Sequence, residues 1–149
     1  MKKIFILGIM CFMALAINAQ SFVDLGLPSG TKWKTQNQTG LYTYDDAISK
    51  FGNRLPTKDQ WNELIIECVW EWTGSGYKVT GPNGNSITLP AEGCRDCDGS
   101  VSNVGSTGYY WSSTPSGSVG AWYLIFGSSG VDMYNGRLCY GQSVRLVQD

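Results

Sequence analysis

This 149-residue chain has five cysteines and twelve side-chain carboxylates but no histidine, and these set the range of chemistry open to it. Without histidine there is no Ser-His-Asp or Cys-His nucleophile arrangement, and the commonest metal ligand is missing. No G-x-S-x-G elbow, Walker loop or G-x-G-x-x-G fingerprint occurs, so the sequence implies no cofactor. Carboxylate-only chemistry stays open, because glycoside hydrolysis needs only two acids across a cleft. Glu67 and Glu71 stand four residues apart near the expected end of a helix, where such a pair is ordinarily solvated.

Cys11 falls in an apolar leader, which leaves Cys68, Cys94, Cys97 and Cys139. Four thiols in an oxidising compartment allow three pairings, and spacing does not choose among them. Cys94-Arg95-Asp96-Cys97 suits a short disulfide loop, a redox pair or half a zinc site. Zinc would need both distant cysteines as well, and a redox pair would want a helix N-terminus to stabilise its thiolate. A structural Cys94–Cys97 disulfide is therefore the expectation, with Cys68 a packed free thiol. Asp96-Cys97-Asp98-Gly99 resembles the start of a calcium loop but lacks the further acidic ligands, so it reads as an acidic turn and no metal site is expected. Asn37-Gln38-Thr39 matches an N-glycosylation acceptor, a tripeptide common by chance.

The N-terminus reads as an export signal: Lys2 and Lys3, then an uncharged apolar run from Ile4 to Ile17, then Ala19 before polar Gln20. Cleavage after Ala19 is expected, and the run is short for a membrane crossing of roughly 20 apolar residues. Residues 1–19 are thus read as a signal peptide and residues 20–149 as one domain, large enough for a real core. The expected product is exported, to the periplasm, the cell surface or the medium, with no transmembrane segment after cleavage. Of eleven basic residues, nine remain once Lys2 and Lys3 are removed, against twelve acidic ones. No basic block is left, so nucleic acid is not an expected partner. Nineteen glycines with six Trp and eight Tyr point to tight turns around an aromatic core.

Two helices must position these residues. Thr43 caps the first, with Asp46 three residues on; Tyr44, Ala47, Ile48 and Phe51 form its stripe and Gly52 stops it. Thr57 and Gln60 have capping-box spacing at the second, whose stripe is Trp61, Leu64, Ile65 and Cys68, with Glu63 and Glu67 facing water. A hairpin follows: Tyr77 and Val79 alternate with polar residues, Pro82-Asn83-Gly84-Asn85 turns, and Ile87 and Leu89 return. A Gly/Ser/Asp-rich loop spans Ala91 to about Gly108, long enough to suggest function. Strands are expected at Tyr109–Trp111, Ala121–Phe126, Val131–Tyr134 and Ser143–Val147.

A turn at Gly127-Ser128-Ser129-Gly130 pairs Phe126 with Val131 and, counting back, Tyr123 with Tyr134. Trp122, Leu124, Phe126, Val131 and Met133 then share one face, which reads as core. Tyr123, Ile125, Asp132 and Tyr134 share the other, and Leu138, Cys139 and Tyr140 follow in a Gly-flanked loop. Large aromatics on an outer face suit interaction hot spots, unless a further layer of the same domain covers them. The candidate ligand-binding residues are Tyr123, Ile125, Asp132, Tyr134, Asn135, Leu138 and Tyr140, with aromatic rings for area and Asp132 and Asn135 for polar specificity.

Several motifs also resemble the Fibrobacter succinogenes major paralogous domain family of exported Bacteroidetes proteins. They are Val23-Asp24-Leu25-Gly26-Leu27-Pro28-Ser29-Gly30-Thr31-Lys32-Trp33, Arg54-Leu55-Pro56-Thr57 with Trp61, and Tyr77-Lys78-Val79-Thr80-Gly81-Pro82-Asn83-Gly84. Tyr110-Trp111-Ser112-Ser113, Ala121-Trp122 and Gly141-Gln142-Ser143-Val144-Arg145-Leu146-Val147 complete the likeness, which covers nearly all of residues 20–149. It implies a C-type-lectin-like α+β fold: two helices packed on small antiparallel sheets with Gly-rich loops. That fold is shared distantly with formylglycine-generating enzymes and with the variable proteins of diversity-generating retroelements. The calcium-binding lectin triplets are absent, as is a matching pair of active-site cysteines, so neither activity carries over.

In the variable proteins, ligand-facing positions are diversified from asparagine codons, and altering only adenines in AAC cannot yield Met, Trp, Gln, Lys or Glu. Tyr123, Ile125, Gly127, Asp132, Tyr134, Gly136, Leu138, Cys139 and Tyr140 all avoid those types. The expected function is recognition of a surface protein or glycan by this aromatic face. The alternatives are an enzyme, either a carboxylate-based hydrolase or a relative of the formylglycine-generating fold, and a structural subunit of a surface assembly.

Overall fold

The computed structural model describes residues 21–149; the expected signal peptide, its cleavage point and Cys11 lie outside the described residues. In chain order the elements begin with strands β1 (Phe22–Asp24) and β2 (Lys32–Lys34). Helix α1 (Tyr44–Phe51), a 3-10 turn (Gly52–Arg54) and helix α2 (Lys58–Glu67) follow. Then come β3 (Val69–Trp72), β4 (Gly76–Thr80), β5 (Ser86–Pro90), β6 (Cys94–Arg95) and β7 (Val101–Ser102). Last are β8 (Gly108–Ser116), β9 (Gly120–Gly127), β10 (Gly130–Arg137) and β11 (Val147–Gln148). The architecture is α+β: two helices with three-stranded sheets ordered β1-β2-β11, β3-β4-β5 and β10-β9-β8, plus the β6-β7 hairpin.

Both helices begin and end where local chemistry requires. The Thr43 hydroxyl accepts from Asp46 N (3.3 Å), and Gly52 closes α1 at φ 53°, a left-handed conformation that glycine adopts without penalty. At α2, Thr57 Oγ1 accepts from Gln60 N (3.1 Å) and Gln60 Oε1 accepts from Thr57 N (2.9 Å), a complete capping box. A third orphan donor of that helix, Lys58 N, reaches Thr114 Oγ1 (2.9 Å) where β8 bulges between Trp111 and Pro115. Trp61 and Leu64 are buried on the predicted stripe, with Ile65 and Cys68 packed beside them.

Two expectations for α2 change. Glu63 is half-buried rather than solvated, because its carboxylate accepts from Ser29 N (3.1 Å) and Ser29 Oγ (2.6 Å). Glu71 is not on the helix: Cys68 turns to extended backbone (ψ 157°), and Glu71 belongs to β3, paired with Lys78 of β4. The Glu67/Glu71 helical pair therefore does not exist.

The β4-β5 hairpin forms as read, with Thr80 opposite Ser86 and Tyr77 opposite Leu89. The long loop after it contains the β6-β7 hairpin, with Cys94 opposite Ser102. The strand expected at Ser143–Val147 is shorter: β11 is Val147–Gln148, and Ser143 makes an isolated parallel bridge to Tyr110. The central hairpin has the predicted register, Phe126 with Val131, Leu124 with Met133 and Tyr123 with Tyr134.

The β8–β10 sheet has a hydrophobic cluster on each face. One holds Leu124, Phe126 and Tyr110 with Trp61, Leu64 and the β4-β5 hairpin, and takes Val131 and Met133 at its margin. The other holds Trp111 and Tyr123 with Ala47, Leu55, Val144 and Leu146. Among the described residues, no helix is long and apolar enough to cross a membrane.

Candidate functional site

The second face of the β8–β10 sheet carries most of the predicted ligand-binding residues, in graded exposure. Strand alternation puts Tyr109, Trp111, Tyr123, Ile125, Asp132 and Tyr134 on it, since Tyr109 pairs with Ile125, Trp111 with Tyr123 and Asp132 with Ile125. Tyr123 is only 8% exposed, against 57% for Tyr134. The expectation that Tyr123 faces solvent is thus corrected. Its ring meets Trp111 edge-on (5.9 Å) and Tyr109 at 6.2 Å, beneath the segment that follows β10. Ile125, Leu138 and Tyr140 are half-buried at the margin of the same cluster, and Asp132 is exposed.

Asn135 is exposed but is separated from this group. It lies opposite Trp122, on the strand position after Tyr134, so its side chain belongs to the other face of the sheet. Trp122 there is half-buried under Lys58, whose Nζ stands 3.3 Å from the ring centroid. Asp132 is partly committed as well: its Oδ1 accepts from Met133 N (2.7 Å). Because β10 is an outer strand, that carboxylate blunts an edge that could otherwise pair with another chain.

Tyr109 is a residue of this face that sequence reasoning misses, although its strand is expected. It extends the patch beside Ile125, and its hydroxyl accepts from Asn103 Nδ2 (3.1 Å). The alternation rule applied across β8 would find it, but only with the β8–β9 register in hand, and the bulge hides that register from the sequence. Phenols converge here. Burial raises the Tyr123 hydroxyl above its ordinary range, and the neighbouring Tyr109, Tyr140, Cys94 and Tyr134 groups raise it further. Gly136 allows the rings to close up: a Cβ there would stand 3.0 Å from Tyr123 Cε1 and 3.2 Å from Tyr140 Cε2.

The cysteines organise the same region, with a pairing other than Cys94–Cys97. The disulfide joins Cys97 to Cys139, with Cα atoms 5.2 Å apart, and Cys94 is a free thiol. The reason is register. Arg95 and Gly141 exchange both backbone hydrogen bonds (2.8 Å each) in an antiparallel bridge, which sets Cys97 across from Cys139. Cys94 lies opposite Ser102 instead, and burial is the main cause of its raised thiol pKa. The crosslink ties the β6-β7 turn to the loop bearing Leu138 and Tyr140. Burial, with Glu67 and Glu63 nearby, pushes the other free thiol, Cys68, up to about 11.

At the tip of the β9-β10 hairpin a depression of about 330 Å³ is lined by residues of both faces, Ile125 and Asp132 from this one and Phe126 and Val131 from the other. Among the described residues, no cluster of three or more Cys, Asp or Glu side chains is arranged to hold a metal ion.

Fold and site together define a small α+β domain with a disulfide-clipped sheet, one face of which carries an aromatic cluster with Tyr134 exposed at its edge. The chain belongs to the family described as a domain of unknown function, DUF8237, whose model matches residues 67–147, from the end of α2 to β11. No curated protein and no solved structure matches it.

Proposed function

We propose that this is an exported recognition domain that binds a partner surface through the sheet face formed by Tyr109, Ile125, Tyr134 and Tyr140. The observation that carries the reading is Tyr134: a large aromatic, 57% exposed on an outer strand, beside three half-buried apolar groups. Tyrosine buries apolar area with little loss of side-chain freedom and is enriched at interaction hot spots. The depression at the hairpin tip would take a projecting side chain of the partner, and Asp132 would contribute a rim charge. A flat face with a shallow recess suits a protein surface better than a small molecule.

The C-type-lectin-like reading and the likeness to the Fibrobacter family belong to the same proposal. They draw support from the sheet order β1-β2-β11, which joins the two ends of the described chain in one small sheet. The diversified-position hypothesis also rests here. An adjacent near-repeat of the coding region differing only at adenines would support it, and absence of one would remove it.

The test is a surface-protein array probed with the purified chain and with Tyr134→Ala and Ile125→Ser variants. Protein hits should be lost in both variants, with Tyr134→Ala keeping the melting temperature close to that of the parent. Binding that survives both substitutions would place recognition elsewhere.

A further inference from the structure

On the opposite side of β8, a cleft of about 600 Å³ lies between the Thr35–Gly40 loop and the segment from Thr88 to Glu92. Its floor is fixed by buried polar groups. The Tyr110 hydroxyl donates to Pro90 O (2.6 Å) and accepts from Asn37 Nδ2 (2.8 Å). Asn37 Oδ1 accepts from Arg145 Nε (2.8 Å), and the guanidinium also donates to Lys34 O (3.0 Å) and Thr88 O (2.5 Å). None of the three acceptors is a carboxylate, although Arg145 is 1% exposed. A buried cation hydrogen-bonded to neutral oxygens, with the Glu92 carboxylate acting on it from beyond hydrogen-bond reach, is costly and rigidly placed. Asn37 is spent at both ends of its amide, so this residue of the Asn37-Gln38-Thr39 tripeptide has an interior structural role.

The reachable wall is different in kind. Glu92 is half-buried and lines the cleft, and its Oε2 accepts from Ser143 Oγ (2.9 Å). The Thr35, Gln36 and Thr88 side chains are exposed there, with Pro90 as the apolar element. Amides and hydroxyls both donate and accept, and a carboxylate only accepts. Arg145 belongs to the lining, but it is 1% exposed and its guanidinium is bonded to Asn37, Lys34 and Thr88, so the half-buried Glu92 is the more accessible charge. That pattern opposes a free anion and favours adjacent hydroxyl groups, which need acceptors and donors together. The volume falls within the range of about 300–1,000 Å³ usual for small-ligand sites.

We infer that this cleft binds a neutral polyhydroxylated ligand of mono- to disaccharide size, with Glu92 accepting from its hydroxyls and Thr88 and Gln36 completing the contacts. The site is independent of the aromatic face, because Tyr110 and Tyr109 point to opposite sides of the same strand. The test is a titration of the purified chain, followed by amide NMR shifts. The probes are glucose, galactose, N-acetylglucosamine and cellobiose, with glucuronate and inorganic phosphate as anionic comparators.

At least one neutral sugar should give saturable shifts at Gln36, Thr88 and Glu92. Glu92→Gln and Thr88→Val, each checked for an unchanged fold, should weaken it at least tenfold, and Tyr134→Ala should leave it unchanged. Preferential binding of glucuronate or phosphate would overturn the inference in favour of an anion site drawn by Arg145. No saturable shift with any neutral sugar, or equal binding by both cleft variants, would overturn it outright.

Discussion

Tyr123 and Tyr134 face each other across one rung of the β9-β10 ladder and lie on the same side of the sheet. Their surroundings differ because β9 is the central strand and β10 the outer one. Trp111 on β8 and Tyr140 after β10 close over Tyr123, while among the described residues no strand lies on the far side of β10 to cover Tyr134. The first is therefore a packing residue and the second a surface one. Tyr123→Ala should cost about 3 kcal/mol, the range for removing a large buried ring. Tyr134→Ala should change stability by less than about 0.5 kcal/mol. Urea unfolding of the two variants measures both, and equal costs would show that Tyr134 is as much a part of the core as its neighbour.

Among the elements, the β6-β7 hairpin contributes little burial of its own. Both its strands are two residues long, and Val101, at 54% exposed, is turned to solvent. What holds it is the Arg95–Gly141 backbone exchange and the Cys97–Cys139 crosslink, which spans 42 residues of sequence. A loop of that length gives the crosslink an expected contribution of about 4 kcal/mol through restriction of the unfolded chain. The Cys97→Ala/Cys139→Ala double variant should lose that amount, and Cys94→Ala far less. Denaturation with and without reductant tests this; if Cys94→Ala were the costly change, Cys97 and Cys139 would not be the bonded pair.

At the scale of the whole molecule, sealed ionisable groups make stability depend on alkaline pH. Burial raises the Tyr110 phenol above its ordinary value near 10, and the Cys68 thiol from near 9 to about 11. Between the unfolded and folded values the unfolded chain releases protons that the folded chain keeps, so stability falls as pH rises. Arg145 acts in the opposite sense. Burial lowers it from 12.5 to about 10, so between those values the unfolded chain binds more protons and stability gains with pH. The thiol effect should therefore begin near pH 9 and the phenol effect above pH 10. Above pH 10 the Tyr110 loss and the Arg145 gain oppose each other, so Tyr110→Phe should shift the slope there towards a gain with pH, and Cys68→Ala should flatten the decline that begins near pH 9. Unfolding midpoints measured across this range check the order, and an unchanged slope in Tyr110→Phe would show that its burial is not the cause.

What the amino-acid sequence determines by itself is whatever short-range geometry dictates. Both helix caps, the apolar stripes of α1 and α2, the β4-β5 hairpin and the β9-β10 register follow from spacings of roughly two to five residues, over which backbone geometry is fixed. The face of each β9 and β10 side chain follows too, including that of Tyr134. Grouping Asn135 with Asp132 runs against that same alternation, which places the two on opposite faces. Long-range encounters are not legible in this way. Whether Tyr123 meets water depends on where residues 138–140 land, and the partner of Cys97 depends on the meeting of Arg95 with Gly141. The Arg145 floor likewise exists only because residues 34, 37 and 88 converge on it. Chain segments far apart in sequence meet through the summed burial of two hydrophobic clusters, and no local pattern encodes that sum.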